Sequence, residues 1–208
     1  INEEATLFNL KRSLGTDLKR KAGPKDTVII YYAGHGAPEP DASSPDGDGL
    51  EKYLIPYDAD PQDLYTTGLP MREVETIFHR LSAERVIFIT DSCYSGATAG
   101  RTFSTAARRA NLSDGFLTRL SKGKGRVVLT ASRAGEVSEE RDELGHGVFT
   151  YYLLEGLNGK ADVDGDSLVT VDEAYSYLST HVPQATGQNQ HPVKKGEVEG
   201  QLILGRIQ

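Results

Sequence analysis

Three segments of this chain are apolar and β-branched almost without interruption: VIIYY at residues 28–32, VIFIT at 86–90 and RVVLT at 126–130. A strand with one wet face alternates apolar and polar residues, whereas a strand covered on both faces has no reason to alternate. The segments between them carry a different period. Leu7, Leu10, Leu14 and Leu18 fall on one face of a helix, a second helical pattern lies near Met71 to Leu81, and GVFTYYLLEGL and VTVDEAYSYLSTHV follow the third strand. Continuous apolar strands separated by helices predict an α/β fold, a mostly parallel central sheet flanked by helices in three layers. KYLIPYDAD and GQLILG add a short and a late strand.

The chain has 208 residues, enough for one medium domain with a real core, and its composition of 38% hydrophobic and 25% charged residues is that of an ordinary globular protein. We read residues 1–208 as a single domain. A net charge of −7 argues against a nucleic-acid partner, since phosphate binding needs basic surface. No apolar run approaches the roughly 18 residues of a membrane span, and no secretory leader pattern is present. One cysteine permits neither an internal disulfide nor a cysteine-rich zinc site, which favours a reducing, cytoplasmic setting. The opening helix has no strand before it, so the expectation is a trimmed chain whose first strand lies upstream of residue 1.

That single thiol, Cys93, closes the second strand in TDSCYSG, and the first strand ends in YYAGHG with His35. In open α/β sheets chemistry gathers at the carboxyl ends of the strands. A parallel sheet therefore brings both groups to one rim although they lie 58 positions apart. A thiolate is a nucleophile, and a neighbouring imidazole can generate it. The flanking glycines let a substrate backbone come close, and the backbone N–H groups of Gly36 and Cys93 can form an oxyanion hole. Against this stands a plainer reading, in which Cys93 is a small buried hydrophobe and His35 a turn residue. A tyrosine-phosphatase loop is excluded, because Ala99 stands six positions after Cys93 where an arginine is required. The serine-hydrolase elbow is missing at both sites. Acyl transfer by a Cys–His dyad is what the motifs leave.

The pair YYAGHG and DSCYSG, with ASRAGEVSEE and GVFTYYLLEGL behind it, resembles the caspase-like cysteine peptidases, specifically their bacterial metacaspase or orthocaspase branch. The likeness runs from the first helix to HPVKKGEVEGQLILG. It implies a caspase–haemoglobinase fold, catalytic His35 and Cys93, protein or peptide substrates, and no cofactor for the chemistry itself. True caspases carry glutamine two places before the cysteine and cut after aspartate. Asp91 stands there in this chain, as in metacaspases, and implies a pocket for Arg or Lys before the cut bond. The family's second pocket acid comes from a loop that this chain does not include. The resemblance also implies maturation by cleavage in the linker after the nucleophile, where RTFSTAARRANLSDG offers Arg108 and Arg109. An upstream regulatory domain or an activating protease would supply the trigger.

ADVDGDSLVTVDEA fits an EF-hand-type calcium loop: Asp162, Asp164 and Asp166 take the first, third and fifth positions, Leu168 the carbonyl position, Thr170 the ninth and Glu173 the twelfth. Ser167 replaces the glycine expected at the sixth, and only YYLLEGLNGK could serve as the entering helix. The same acids also suit a helix start with no metal, where they stabilise the helix dipole. Asp46, Asp48, Asp58 and Asp60 read as a solvated loop. His79, His146, His181 and His191 show no ligand spacing and read as surface or packing residues. The reading that competes with a peptidase is a non-catalytic, calcium-responsive interaction module on the same fold.

Overall fold

The structure is a computed structural model that describes residues 2–93, 97, 98, 101, 102, 112, 114–123, 125–197 and 200–207, with backbone alone at 93, 97, 98, 101 and 102. Helix α1 (Leu7–Lys11) passes through a wider π-type stretch (Arg12–Asp17) into α2 (Leu18–Lys21). Thr6 caps α1 by accepting from the Asn9 backbone N–H. There follow β1 (Thr27–Pro40), β2 (Leu50–Leu54), α3 (Leu64–Thr67), β3 (Leu69–Pro70), α4 (Met71–Arg80) and β4 (Arg85–Cys93). Two-residue strands β5 (Ala97–Thr98) and β6 (Arg101–Thr102) precede α5 (Asp114–Leu120) and β7 (Arg126–Thr130). A small hairpin, β8 (Glu140–Arg141) and β9 (His146–Gly147), leads into α6 (Val148–Glu155). The chain ends with β10 (Leu168–Thr170), α7 (Val171–Ala185), β11 (Val193–Lys195) and β12 (Ile203–Arg206). None of the described helices is long and apolar enough to cross a membrane.

The central sheet has the order β11-β7-β4-β1-β2-β3. The three apolar segments of the sequence form its parallel heart, β7, β4 and β1, and the flanking pairings are antiparallel. Gly125 makes the entry to β7 possible: its φ is +75°, and a Cβ there would fall 1.9 Å from the Glu84 carbonyl oxygen. On one face, Val28, Ile30, Val86, Phe88 and Val128 pack against α4, α5 and the leucines of α1 and α2. On the other, Ile87, Ile89, Val127 and Leu129 pack against α6 and α7.

Burial on both faces holds for β4 but not for β1. Ile29 and Tyr31 are each 45% exposed, because the core beneath α6 and α7 is built on β4 and β7 and stops short of the outer face of β1. The late strand forms as β12 and pairs with β10 in a separate two-stranded sheet. The acidic segment read as solvated is partly interior. Asp46 is 4% exposed and receives Lys52 Nζ and Arg119 at 2.7 Å each, while Lys52 also meets Asp48. Lys52 points inward from β2, so these acids neutralise a buried ammonium.

Candidate active site

β1 changes partner at one point. Residues Thr27 to His35 pair in parallel with β4, and Gly36 to Pro40 pair antiparallel with β2. His35 is the last residue of the parallel ladder, and its register partner is Cys93, the last residue of β4. Neighbouring strands lie about 4.8 Å apart, so the histidine and the cysteine stand side by side at the carboxyl rim of the sheet. The His35 ring is exposed, but its backbone is fixed: the carbonyl accepts from the Tyr32 hydroxyl at 2.9 Å and from the Ile55 N–H at 3.0 Å.

The bond from Ile55 to His35 makes Gly36 and Leu54 a non-hydrogen-bonded pair of the antiparallel ladder. The Gly36 N–H therefore points away from β2, toward the side on which β4 and Cys93 lie. That direction suits an oxyanion donor.

Two residues before Cys93, the carboxylate of Asp91 is held from several sides. Ser138 Oγ donates to Oδ1 at 2.6 Å, and Thr150 donates to Oδ2 through Oγ1 at 2.5 Å and through its N–H at 3.3 Å. Because the Thr150 hydrogen goes to the carboxylate, the Tyr31 hydroxyl must be the donor in its 2.7 Å contact with Thr150 Oγ1. Burial pushes the Tyr31 phenol pKa up, and the negative charge of Asp91 adds to the rise. Ser138 is fixed in turn by the fully buried Gln190, whose amide reaches Ser138 Oγ at 3.2 Å and the Ala131 carbonyl at 2.9 Å. Glu136 anchors the strand beside it by taking the N–H of His191 at 2.7 Å and its ring Nδ1 at 2.8 Å. Burial alone would raise the Glu136 carboxyl, but these bonds and the Arg133 N–H win and lower it. Gly147 closes the space, since a Cβ there would lie 2.6 Å from Asp91 Oδ2.

Ser138, Thr150, Tyr31, Gln190 and Gly147 were not legible as site residues. They come from four separate stretches of sequence, and no spacing rule connects them. Arg108 and Arg109 lie outside the described residues. The remaining histidines do not gather. His181 stacks on Tyr152 and packs against Tyr177, His79 lies 4.0 Å from Glu75, and His191 pairs with Glu136.

Between the helical segment ending at Lys160 and α7, one oxygen from each of Asp162, Asp164 and Asp166 lies within 4.8 Å of the others. Ser167 takes φ +65°, the left-handed conformation for which glycine is usual at that position. The entering helix that the sequence barely suggested is supplied by α6 and its π-type extension (Gly156–Lys160). Glu173 does not face the three aspartates alone. It closes a capping box with Thr170, and the Thr170 N–H and hydroxyl, in that order, lower its carboxyl below the usual range.

The model of the caspase domain, a C14 peptidase family, matches residues 3–200. The chain belongs to the caspase domain family. Among solved structures, protein GSU0716 from Geobacter sulfurreducens superposes with a TM-score of 0.63 at 17% identity, covering 100% of this chain and 81% of that one. At that identity the likeness is one of fold. No curated protein sequence matches the chain. Family membership and the parallel heart of the sheet agree with the architecture expected of a caspase-like peptidase domain, whose substrates are proteins or peptides.

Proposed function

We propose that this caspase-family domain is a cysteine endopeptidase in which Cys93 and His35 form the catalytic dyad and Asp91 selects Arg or Lys before the cut bond. The observation that carries the proposal is the pairing of His35 with Cys93 at the end of the parallel ladder, two residues beyond a fixed carboxylate. In the first half of the reaction the Cys93 thiolate attacks the scissile carbonyl carbon and a C–S bond forms. The oxyanion is met by the N–H groups of Gly36 and Cys93. As the C–N bond breaks, the His35 imidazolium gives its proton to the leaving amine. In the second half His35 takes a proton from water, hydroxide attacks the thioester, and the acid product leaves with the thiolate restored.

Cys93→Ala and His35→Ala should each abolish peptide cleavage while the fold survives, with the double variant little worse than either, because the pair acts as a unit. Turnover of Arg peptides by Cys93→Ala at the wild-type rate would end this reading. Faster cleavage after aspartate than after arginine would remove Asp91 from its role, because a fixed carboxylate repels an acidic side chain as much as it attracts a basic one.

The competing reading is a calcium-responsive, non-catalytic module, favoured by the three clustered aspartates. Calcium and catalysis are compatible, and we assign Asp162, Asp164, Asp166, the Leu168 carbonyl, Thr170 and Glu173 as the residues that would hold the ion. Labelling of Cys93 by a peptidyl electrophile separates the two readings. Maturation at Arg108 or Arg109 belongs to the same proposal, since both match the preference ascribed to Asp91.

A further inference from the structure

We infer that Tyr31 forms the inner wall of the Asp91 pocket and makes that pocket prefer arginine to lysine before the cut bond. The inference rests on the peptidase reading above and names the finer selectivity of the same site.

The strand itself places the residues. Successive residues of a strand point to opposite faces, so Tyr31, Ala33 and His35 share one face of β1, with Tyr32 and Gly34 on the other. The Tyr31 hydroxyl reaches Thr150 Oγ1 at 2.7 Å, and Thr150 holds Asp91 at 2.5 Å, so the shared face is the one on which the carboxylate is fixed. All three β1 residues are exposed there. Their register partners on β4 are Ile89, Asp91 and Cys93. Three levels therefore descend from the rim: His35 with Cys93, Ala33 with Asp91, and Tyr31 with Ile89, each about 6.6 Å below the one before.

Attack by Cys93 fixes the scissile carbonyl at the first level, so the preceding side chain enters from the rim. At the second level Ala33 presents only a methyl group and leaves the way open. Asp91 is half-buried, and among the described residues its Oδ1 takes a single bond, from Ser138, where a carboxylate oxygen has room for two. A lysine ammonium ends at this level. Arginine carries its terminal nitrogens one atom further, and its guanidinium overlaps the third level, where Tyr31 is 45% exposed. A planar, weakly hydrated guanidinium stacks on an aromatic face, whereas an ammonium is compact and strongly hydrated. The bond to Thr150 tethers the ring at its far end. Burial, and then the Asp91 charge, push the phenol pKa up, so the hydroxyl keeps its proton and this tether at neutral pH.

The test is a set of three peptides identical except for Arg, Lys or norleucine before the cut bond. Wild type should favour Arg over Lys in kcat/KM by about tenfold. Tyr31→Thr, which suits an exposed strand position but has no ring, should bring that ratio within about twofold of one, with both basic peptides still ahead of norleucine. Tyr31→Phe keeps the ring and should hold the ratio within about threefold of wild type. A general loss of folded protein lowers all three rates together and leaves the ratio alone. If Tyr31→Thr does not fold, Tyr31→Leu removes the ring with more apolar bulk and should give the same ratio. An Arg-to-Lys ratio that survives loss of the ring, or that is already near one in wild type, overturns the inference and leaves Asp91 in its role. Norleucine cleaved as fast as Arg by wild type removes Asp91 from that role, and the wall falls with it. No cleavage of any peptide and no labelling of Cys93 by an arginyl acyloxymethyl ketone overturn the dyad itself.

Discussion

Gly147→Ala probes the proposed specificity pocket around Asp91 with a single methyl group. Gly147 has φ −56° and ψ 145°, values open to any residue, so the backbone accepts alanine without strain. The added Cβ, however, lands 2.6 Å from Asp91 Oδ2, where ordinary contact begins near 3.4 Å. The carboxylate must withdraw by about 0.8 Å, the difference between those two distances. The bonds from Thr150 and Ser138, now 2.5 and 2.6 Å, then stretch to the edge of hydrogen-bonding range. Losing one charge-assisted bond costs about 1.5–3 kcal/mol. For a chain of this size that lowers Tm by roughly 3–12 °C. The same misplacement weakens the hold on an arginine side chain, and kcat/KM falls tenfold for every ~1.4 kcal/mol lost. Gly145→Ala is the matched control. It has φ +65° with open space around it, so it pays a backbone cost of about 1–2 kcal/mol and touches no carboxylate. Differential scanning calorimetry with paired Arg and norleucine substrates reads both effects. The account of the pocket fails if Gly147→Ala keeps its arginine preference and melts no lower than Gly145→Ala.

Thr150→Val removes one donor to Asp91 and strands the Tyr31 hydroxyl, so selectivity for Arg over norleucine should fall about tenfold with the fold retained by circular dichroism. Lys52→Met leaves Asp46 buried with less compensation and should destabilise by about 3 kcal/mol in urea unfolding; a loss below about 1 would mean the ion cluster is solvated after all. Glu136 has a folded pKa below its ordinary 4.5, so it adds stability above that pH which vanishes as pH drops through the lowered value. Glu136→Gln should accordingly lower Tm at pH 7 and lose that effect in strong acid. Millimolar calcium should raise Tm by mass action, and Glu173→Gln should blunt the rise; a flat calorimetric titration leaves these acids as a helix start. Intact mass should show fragments ending at Arg108 or Arg109 in active protein and none in Cys93→Ala.

The parallel heart of the sheet was written locally, because a strand buried on both faces is apolar along its middle, as VIFI at 86–89 and VVL at 127–129 are. The shared position of His35 and Cys93 was legible for a related reason: each ends an apolar strand, and parallel strands bring their carboxyl ends to one rim. The family likeness rested on the same two motifs. Tertiary structure alone decided what surrounds them. The exposure of Ile29 and Tyr31 depends on where α6 and α7 lie over the sheet, which no residue of β1 encodes. The cradle of Asp91 joins residues 47 and 59 positions away from it. Periodicity reports which face of an element is covered. Which hydroxyl meets which carboxylate depends on chain paths between elements, and a short window of sequence carries no record of those paths.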